Sequence, residues 1–153
     1  DILINNLGVY QTDNPSSLNK ADLQEMMDSN LHTAIDLTQI ALPHLRKSKN
    51  AIIINIGSVM SLKASTIANS YSISKHALKA WNDGLREELR EEKIKVTSIY
   101  PGAVNTSSWD GIEADRNAMI QAEDIAKLIA SLSQLSASSL VEEIRLSPLD
   151  FQP

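Results

Sequence analysis

Three short runs of branched apolar residues decide what this chain can fold into. Ala51 to Ile56 is the clearest: nearly all apolar, β-branched in its middle and too short for a helix. A run without polar alternation is buried on both faces, which suits a strand inside a parallel sheet. Ile2 to Asn5 is a second such run, closed by Asn5-Asn6 and Gly8. Ile94 to Ile99 alternates well enough for a third strand, and Tyr100-Pro101-Gly102 breaks it. Val141 to Leu146 reads as a fourth.

Between these runs the apolar spacing turns helical. Asn19, with Asp22 three residues on, resembles a helix cap. Leu23, Met27, Asn30, Ala34, Leu37, Ala41 and Leu45 then recur at helical spacing and predict one helix from about Lys20 to Lys47. Pro43, near its end, is expected to kink or shorten it. A second helix runs from about Ser70 to Glu92 with Leu78, Trp81, Leu85 and Leu89 as its apolar stripe. A third, Ala122 to Leu132, turns Ile125, Leu128 and Ile129 inward. Val9 to Ser17, Ser61 to Ser70, Asn105 to Asn117 and the serine-rich Ser131 to Ser139 read as loops. Pro148 and Pro153 bracket a loose tail.

Strands alternating with helices are the signature of an α/β fold: a doubly wound parallel sheet covered on both faces. The 153 residues suffice for one domain, without repeat or linker. Ligands of such sheets bind beyond the carboxyl ends of the strands. Asn5-Asn6, Ser58 and Pro101-Gly102 all follow strand ends, so the unusual polar residues gather on one edge.

Composition narrows the chemistry. A net charge of −5 argues against nucleic acid, whose phosphates need a basic face. Without cysteine there is no disulfide and no thiolate metal site. His32, His44 and His76 lack zinc-motif spacing, so no metal is expected. No apolar run approaches the ~20 residues that span a bilayer, and no signal peptide is visible. The sequence therefore reads as a soluble, cytoplasmic protein that does not engage membranes. It opens on Asp1 and enters a strand at once. Domains rarely start inside their core, so a truncated chain is expected.

Tyr71 and Lys75 lie four apart in the opening turns of the second helix and share a face. Chance alone would supply such a pair roughly one time in six, so context must carry it. A phenol titrates near 10, and bringing it to about 7 takes roughly 4 kcal/mol of preference for phenolate. A cation 4 Å away supplies about 1 kcal/mol in water but about 4 at an effective dielectric near 20. Lys75 can thus tune Tyr71 only in a sheltered crevice, and desolvation of the phenolate works against it. Ser58 offers a neutral hydroxyl at a strand end. Asn30 is polar on an apolar stripe and must find buried partners.

These segments resemble the short-chain dehydrogenase/reductase family. Asn5-Asn6-Leu7-Gly8 is similar to its Asn-Asn-Ala-Gly turn, and Asn30 stands where the family carries its helix asparagine. Ile56-Gly57-Ser58 resembles the serine turn. Tyr71 follows by thirteen positions, Lys75 completes Tyr-x-x-x-Lys, and Pro101-Gly-Ala-Val-Asn-Thr106 is similar to Pro-Gly-x-Val-x-Thr. The resemblance implies an oxidoreductase moving a hydride between NAD or NADP and a small carbonyl or alcohol substrate. It implies Asn30, Ser58, Tyr71 and Lys75 as catalytic residues, with Ser58 and Tyr71 meeting the substrate. It implies Asn5, Asn6, Gly8, Tyr71, Lys75, Val104 and Thr106 at the cofactor: Asn5, Asn6 and Gly8 on its adenosine side, Lys75 on the nicotinamide ribose, Val104 and Thr106 at the nicotinamide amide. It implies, too, a water beside Asn30 relaying protons to Lys75, and a homodimer or homotetramer through the two long helices.

Two departures stand out. No Gly-x-Gly occurs anywhere, and the family's opening strands are absent, so the chain reads as the C-terminal part of a single Rossmann-like domain. Leu7 replaces the usual alanine. The alternative reading is a non-catalytic fragment or assembly remnant unable to bind cofactor.

Overall fold

A computed structural model describes residues 1–151. Its elements, in chain order, are β1 (Ile2–Asn5), α1 (Lys20–Met27), α2 (Thr33–Leu45), β2 (Ile52–Ile56), α3 (Asn69–Arg90), β3 (Lys95–Pro101), β4 (Val104–Asn105), β5 (Ile120–Gln121), α4 (Ala122–Ser133) and β6 (Glu143–Leu146). The main sheet is wholly parallel, in the order β1-β2-β3-β6. Ile4 lies opposite Ile54, Ile54 opposite Thr97, and Ile99 opposite Ile144. Four strands pointing one way put their carboxyl ends on a single edge.

β2 shows why both faces are covered. Side chains alternate across a strand, so an unbroken isoleucine run feeds two cores. Ile53 packs with Leu45, Leu85, Leu89 and Val96 under α2 and α3. Ile52 and Ile54 pack with Ile99 and with Leu132 of α4 on the other side. Ile53 and Ile54 are wholly buried, each contributing roughly 2–3 kcal/mol of transfer free energy. Doubly wound is therefore the right description. Among the described residues no helix is long and apolar enough to cross a membrane.

The sheet also buries polar groups in a chain. Asn5 Nδ2 donates to Thr38 Oγ1 at 3.1 Å and to Asn55 Oδ1 at 2.6 Å. Asn55 donates to Asn82, and Asn82 to Ser98. Arg86 ends the run, bonded to Ser98 Oγ at 3.2 Å and to the Val96 and Glu142 carbonyls. Asn55 and Asn82 each find partners on the next strand or helix, as burial demands, whereas Asn5 Oδ1 has none among the described residues.

Several boundaries differ from the sequence expectation. The first long helix is not uniform: α1 passes into a π turn at Asp28–His32 before α2 begins. The wider turn is centred on Asn30, whose side chain is bonded to another segment. Pro43 sits inside α2 without ending it. β3 runs two residues beyond Ile99, through Tyr100 and Pro101. β2 stops opposite Ile99, so the N–H that Pro101 lacks has no neighbour there to miss. β6 begins at Glu143 rather than Val141. Asn105–Asn117 is not irregular throughout. It carries 3₁₀ turns at Ser107–Trp109 and Arg116–Ala118, and β4 pairs with β5 beside it. Arg116 binds the Asn105 side chain, the Thr106 carbonyl and Asp110, which is why the segment is ordered. The tail is anchored where Phe151 packs edge-on against Trp109. Pro153 lies outside the described residues.

Candidate active site

The helix that carries Tyr71 starts in the crevice at the strand ends. Tyr71 is the third residue of α3, and one turn later Lys75 follows on the same face. Lys75 Nζ lies 5.7 Å from the centroid of the Tyr71 ring. The lysine is only 4% exposed. Its Nζ donates to the Ile56 carbonyl at 3.1 Å, and no carboxylate pairs with it among the described residues. Burial pulls its pKa down from 10.5 to about 8. At neutral pH it is still mostly charged.

Burial acts on Tyr71 in the opposite sense. It pushes the phenol above its ordinary value, a neighbouring Ser58 hydroxyl pulls it down in part, and Tyr10 adds to the rise. The sequence reading expects Lys75 to bring this phenol down. Burial raises it instead, and the lowering contribution comes from Ser58.

Ser58 sits where β2 turns into a 3₁₀ turn at Val59–Ser61. Its hydroxyl oxygen accepts from Met60 N at 3.1 Å, and Ser61 Oγ accepts from Ser58 N at 3.2 Å. This reciprocal cap fixes the Ser58 side chain and leaves its hydroxyl proton free to donate. Gly57 before it is required by packing: a Cβ there would lie 2.7 Å from the Tyr100 ring.

Asn30 is buried and braces the loop after β1. Its Oδ1 accepts from Val9 N at 2.8 Å, and its Nδ2 donates to Val9 O at 3.0 Å. Nδ2 also donates to Ser74 Oγ at 2.9 Å, which in turn donates to the Tyr71 carbonyl at 2.7 Å. Both amide hydrogens are thus engaged, and one Oδ1 lone pair is left. The clamp draws Gly8 close: a Cβ there would stand 3.1 Å from Asn30 Oδ1 and 3.2 Å from Lys75 Nζ. Gly8, Asn30, Ser58, Tyr71 and Lys75 therefore lie close together at the carboxyl edge of the sheet.

The other sequence-picked residues lie around it. Asn6 is exposed beside Gly8, whereas the Asn5 side chain turns under the helices into the amide chain. Val104 is half-buried in β4, and Thr106, exposed, caps the following 3₁₀ turn. Tyr10 was not legible as a site residue. Its ring meets Tyr71 edge-on, with centroids 5.0 Å apart. The only sequence signal was an aromatic residue two positions after Gly8.

Comparison with known proteins identifies the family and the fold. The family model described as short chain dehydrogenase matches residues 1–117. A 3-amino-tetrahydro-pyrrolizinone reductase of Xenorhabdus hominickii is 38% identical over 108 residues, covering 71% of this chain and 37% of that protein. A farnesol dehydrogenase of Aedes aegypti is 33% identical over 156 residues, covering 97% of this chain and 64% of that one. The alcohol dehydrogenase of Thermococcus sibiricus, solved with 5-hydroxy-NADP, superposes with a TM-score of 0.88 at 20% identity. That match covers all of this chain and 65% of the other. The chain spans less than two thirds of the length of each of these proteins. A family match over three quarters of the sequence, on the fold and crevice described above, makes this chain a member of the short-chain dehydrogenase family of oxidoreductases.

Proposed function

We propose that the protein containing this chain is an NAD(P)-dependent oxidoreductase that interconverts a small-molecule carbonyl and its alcohol. One observation supports the reading: Lys75 and Ser58 both lie beside Tyr71, in largely buried surroundings at the carboxyl edge of the sheet. A phenol and an ammonium in such a place have no evident structural duty, since each loses hydration there.

The residues fit a nicotinamide nucleotide. Lys75 has three N–H donors, and the Ile56 carbonyl is the one protein acceptor found for them among the described residues. Two donors remain for ribose hydroxyls. Gly8 leaves room where a side chain would press on Lys75 and Asn30. Asn6 and Gly8 would border the adenosine side. Asn5 would take part through its backbone, because its side chain is engaged elsewhere. Val104 and Thr106 would meet the nicotinamide amide. When bound, the nucleotide supplies or accepts the hydride.

The chain's own residues handle the proton. Tyr71 gives its phenolic proton to the substrate oxygen in reduction and takes it back in oxidation. The free Ser58 proton donates to the same oxygen as negative charge gathers there. Lys75 steadies the phenolate that Tyr71 leaves behind. Asn30 holds the Gly8–Val9 backbone in place, and the remaining Oδ1 lone pair is available to a water that passes a proton to Lys75 as a proton from Lys75 is relayed back to the Tyr71 phenolate. Assembly through the long helices is supported by Leu37 and Ile40 of α2, which stand 44% and 70% exposed.

Tyr71→Phe in the full-length protein tests the reading. Turnover with NADH or NADPH should fall at least a thousandfold while the circular dichroism spectrum is unchanged. Near-normal turnover in that variant would refute it. The competing reading, a non-catalytic remnant, rests on the missing Gly-x-Gly; nucleotide binding with turnover by the purified chain would exclude it.

A further inference from the structure

Tyr10 is held at both ends of its loop. On one side Asn30 grips Val9 by its N–H and its carbonyl. On the other, the Asp13 carboxylate caps the start of α3. Asp13 Oδ1 accepts from Asn69 N and, at 3.0 Å, from Ser70 N. Its Oδ2 lies 3.1 Å from Ser70 N and also accepts from Ser70 Oγ. Asp13 N donates to the Ile67 carbonyl at 3.1 Å, and Asp13 bridges Ala68 as a parallel pair. Burial alone would raise this carboxyl, but the bonds from Ser70 and Asn69 prevail and hold it below its ordinary value. The capped residues immediately precede Tyr71.

The loop is short. Only Tyr10, Gln11 and Thr12 separate the two grips, and Tyr10 is the one whose ring reaches Tyr71. A ring in T-shaped contact at 5.0 Å blocks rotation of its neighbour toward it. Tyr71 is held otherwise by its own helix, by the neighbouring Ser58 hydroxyl and, through its carbonyl, by Ser74. The position of the phenol ring therefore depends in part on Tyr10 staying in place.

We propose that Asp13 is a positioning residue for Tyr71: by tying the Val9–Asp13 segment to the first turn of α3, it keeps the Tyr10 ring against the phenol. The proposal rests on Tyr71 acting as the proton donor. The bonds of Asp13 go to Ile67, Asn69 and Ser70, so its removal should act on the chemical step and spare binding. An asparagine at this position still offers an oxygen to both backbone N–H groups and should restore most of the function.

The test is a kinetic cycle in the full-length protein, with Asp13→Ala, Asp13→Asn, Tyr10→Ala and the double alanine variant. Asp13→Ala should lower kcat ten- to a hundredfold with KM for nucleotide and substrate moved less than threefold. Asp13→Asn should return kcat to within about fivefold of the parent. The double variant should lose no more than the worse single one, because both changes free the same ring. Unchanged kcat in Asp13→Ala, a loss lying wholly in KM, or losses that multiply in the double variant would each overturn the proposal. Ring-labelled tyrosine NMR on the same proteins gives a second readout. Asp13→Ala and Tyr10→Ala should shift the Tyr71 ring resonances alike, and a Tyr71 signal unmoved by Asp13→Ala would overturn the proposal without reference to activity. If the parent protein turns over no substrate, the oxidoreductase reading fails by itself, and the NMR arm still decides on Asp13.

Discussion

Lys75 should weaken the fold it serves. Its ammonium is buried without a counter-ion, and its pKa falls from 10.5 to about 8. A difference of that size corresponds to about 3 kcal/mol of lost stability wherever both folded and unfolded chains are protonated. Between pH 8 and 10.5 the unfolded chain binds a proton that the folded chain does not. Stability attributable to Lys75 therefore rises with pH across that window and is at its lowest, and flat, below it. About 2 of the 3 kcal/mol should be regained by pH 9.5. Lys75→Met keeps the packing of the stem and removes the charge. It also strands the Ile56 carbonyl, at a cost of about 1–2 kcal/mol. Without nucleotide, Lys75→Met should thus be about 1–2 kcal/mol more stable than the parent at pH 7, and inactive. The check is urea unfolding of both proteins at pH 7 and 9.5. The parent should gain about 2 kcal/mol on the variant between the two. Parallel pH dependences, or a variant less stable by more than 1 kcal/mol at pH 7, would show that Lys75 is not held at a depressed pKa.

Two further predictions concern the crevice walls. Asn30→Ala removes three hydrogen bonds and frees Val9, so urea unfolding should show a loss of about 2–3 kcal/mol, with activity falling together with stability. Gly57→Ala would press a methyl group onto the buried Tyr100 ring and should cost about 1–3 kcal/mol by thermal unfolding. Gly84→Ala is its control: nothing stands within 4 Å of that Cβ, and an alanine inside α3 should stabilise by about 0.5–1 kcal/mol.

The sheet was legible because its signal is local. An unbroken isoleucine run followed by glycine and serine admits few other readings, and the strand–helix alternation then orders the elements. Tyr71 and Lys75 were legible for the same reason, since helical spacing alone puts them on one face. The π turn was not. Asn30 fits the apolar period as well in a uniform helix, and only its two-way grip on Val9, a tertiary contact, accounts for the wider turn. Asp13 was hidden in a polar loop, because its partners lie 56 and 57 positions away. The amide chain was half visible. Asn55 interrupts an apolar strand and Asn82 follows Trp81 on the inner face of α3, yet nothing in either stretch says that they meet. The strand end at Ile99 was misread because proline was taken as a stop, whereas the partner strand had already ended.

Burial sets the terms for the Tyr71–Lys75 pair in two conflicting ways. With the 5.7 Å from Lys75 Nζ to the ring centroid taken as the charge separation, the cation is worth about 3 kcal/mol to a phenolate at an effective dielectric of 20, and about 0.7 in water. The start of a helix, where Tyr71 lies, adds about 0.3–1 kcal/mol. Together these approach the roughly 4 kcal/mol that would bring a phenol from 10 to 7. Yet the dryness that makes the charge effective also raises the phenol and draws the lysine down to about 8. A wetter crevice would keep Lys75 charged to higher pH and leave it too weak to matter, and a drier one would discharge it at neutral pH. With its pKa drawn to about 8, Lys75 lies between these limits and is mostly charged at pH 7. On the proposed mechanism this ties the pH range of Tyr71 to Lys75: above pH 8 the cation is lost before the phenol can ionise unaided.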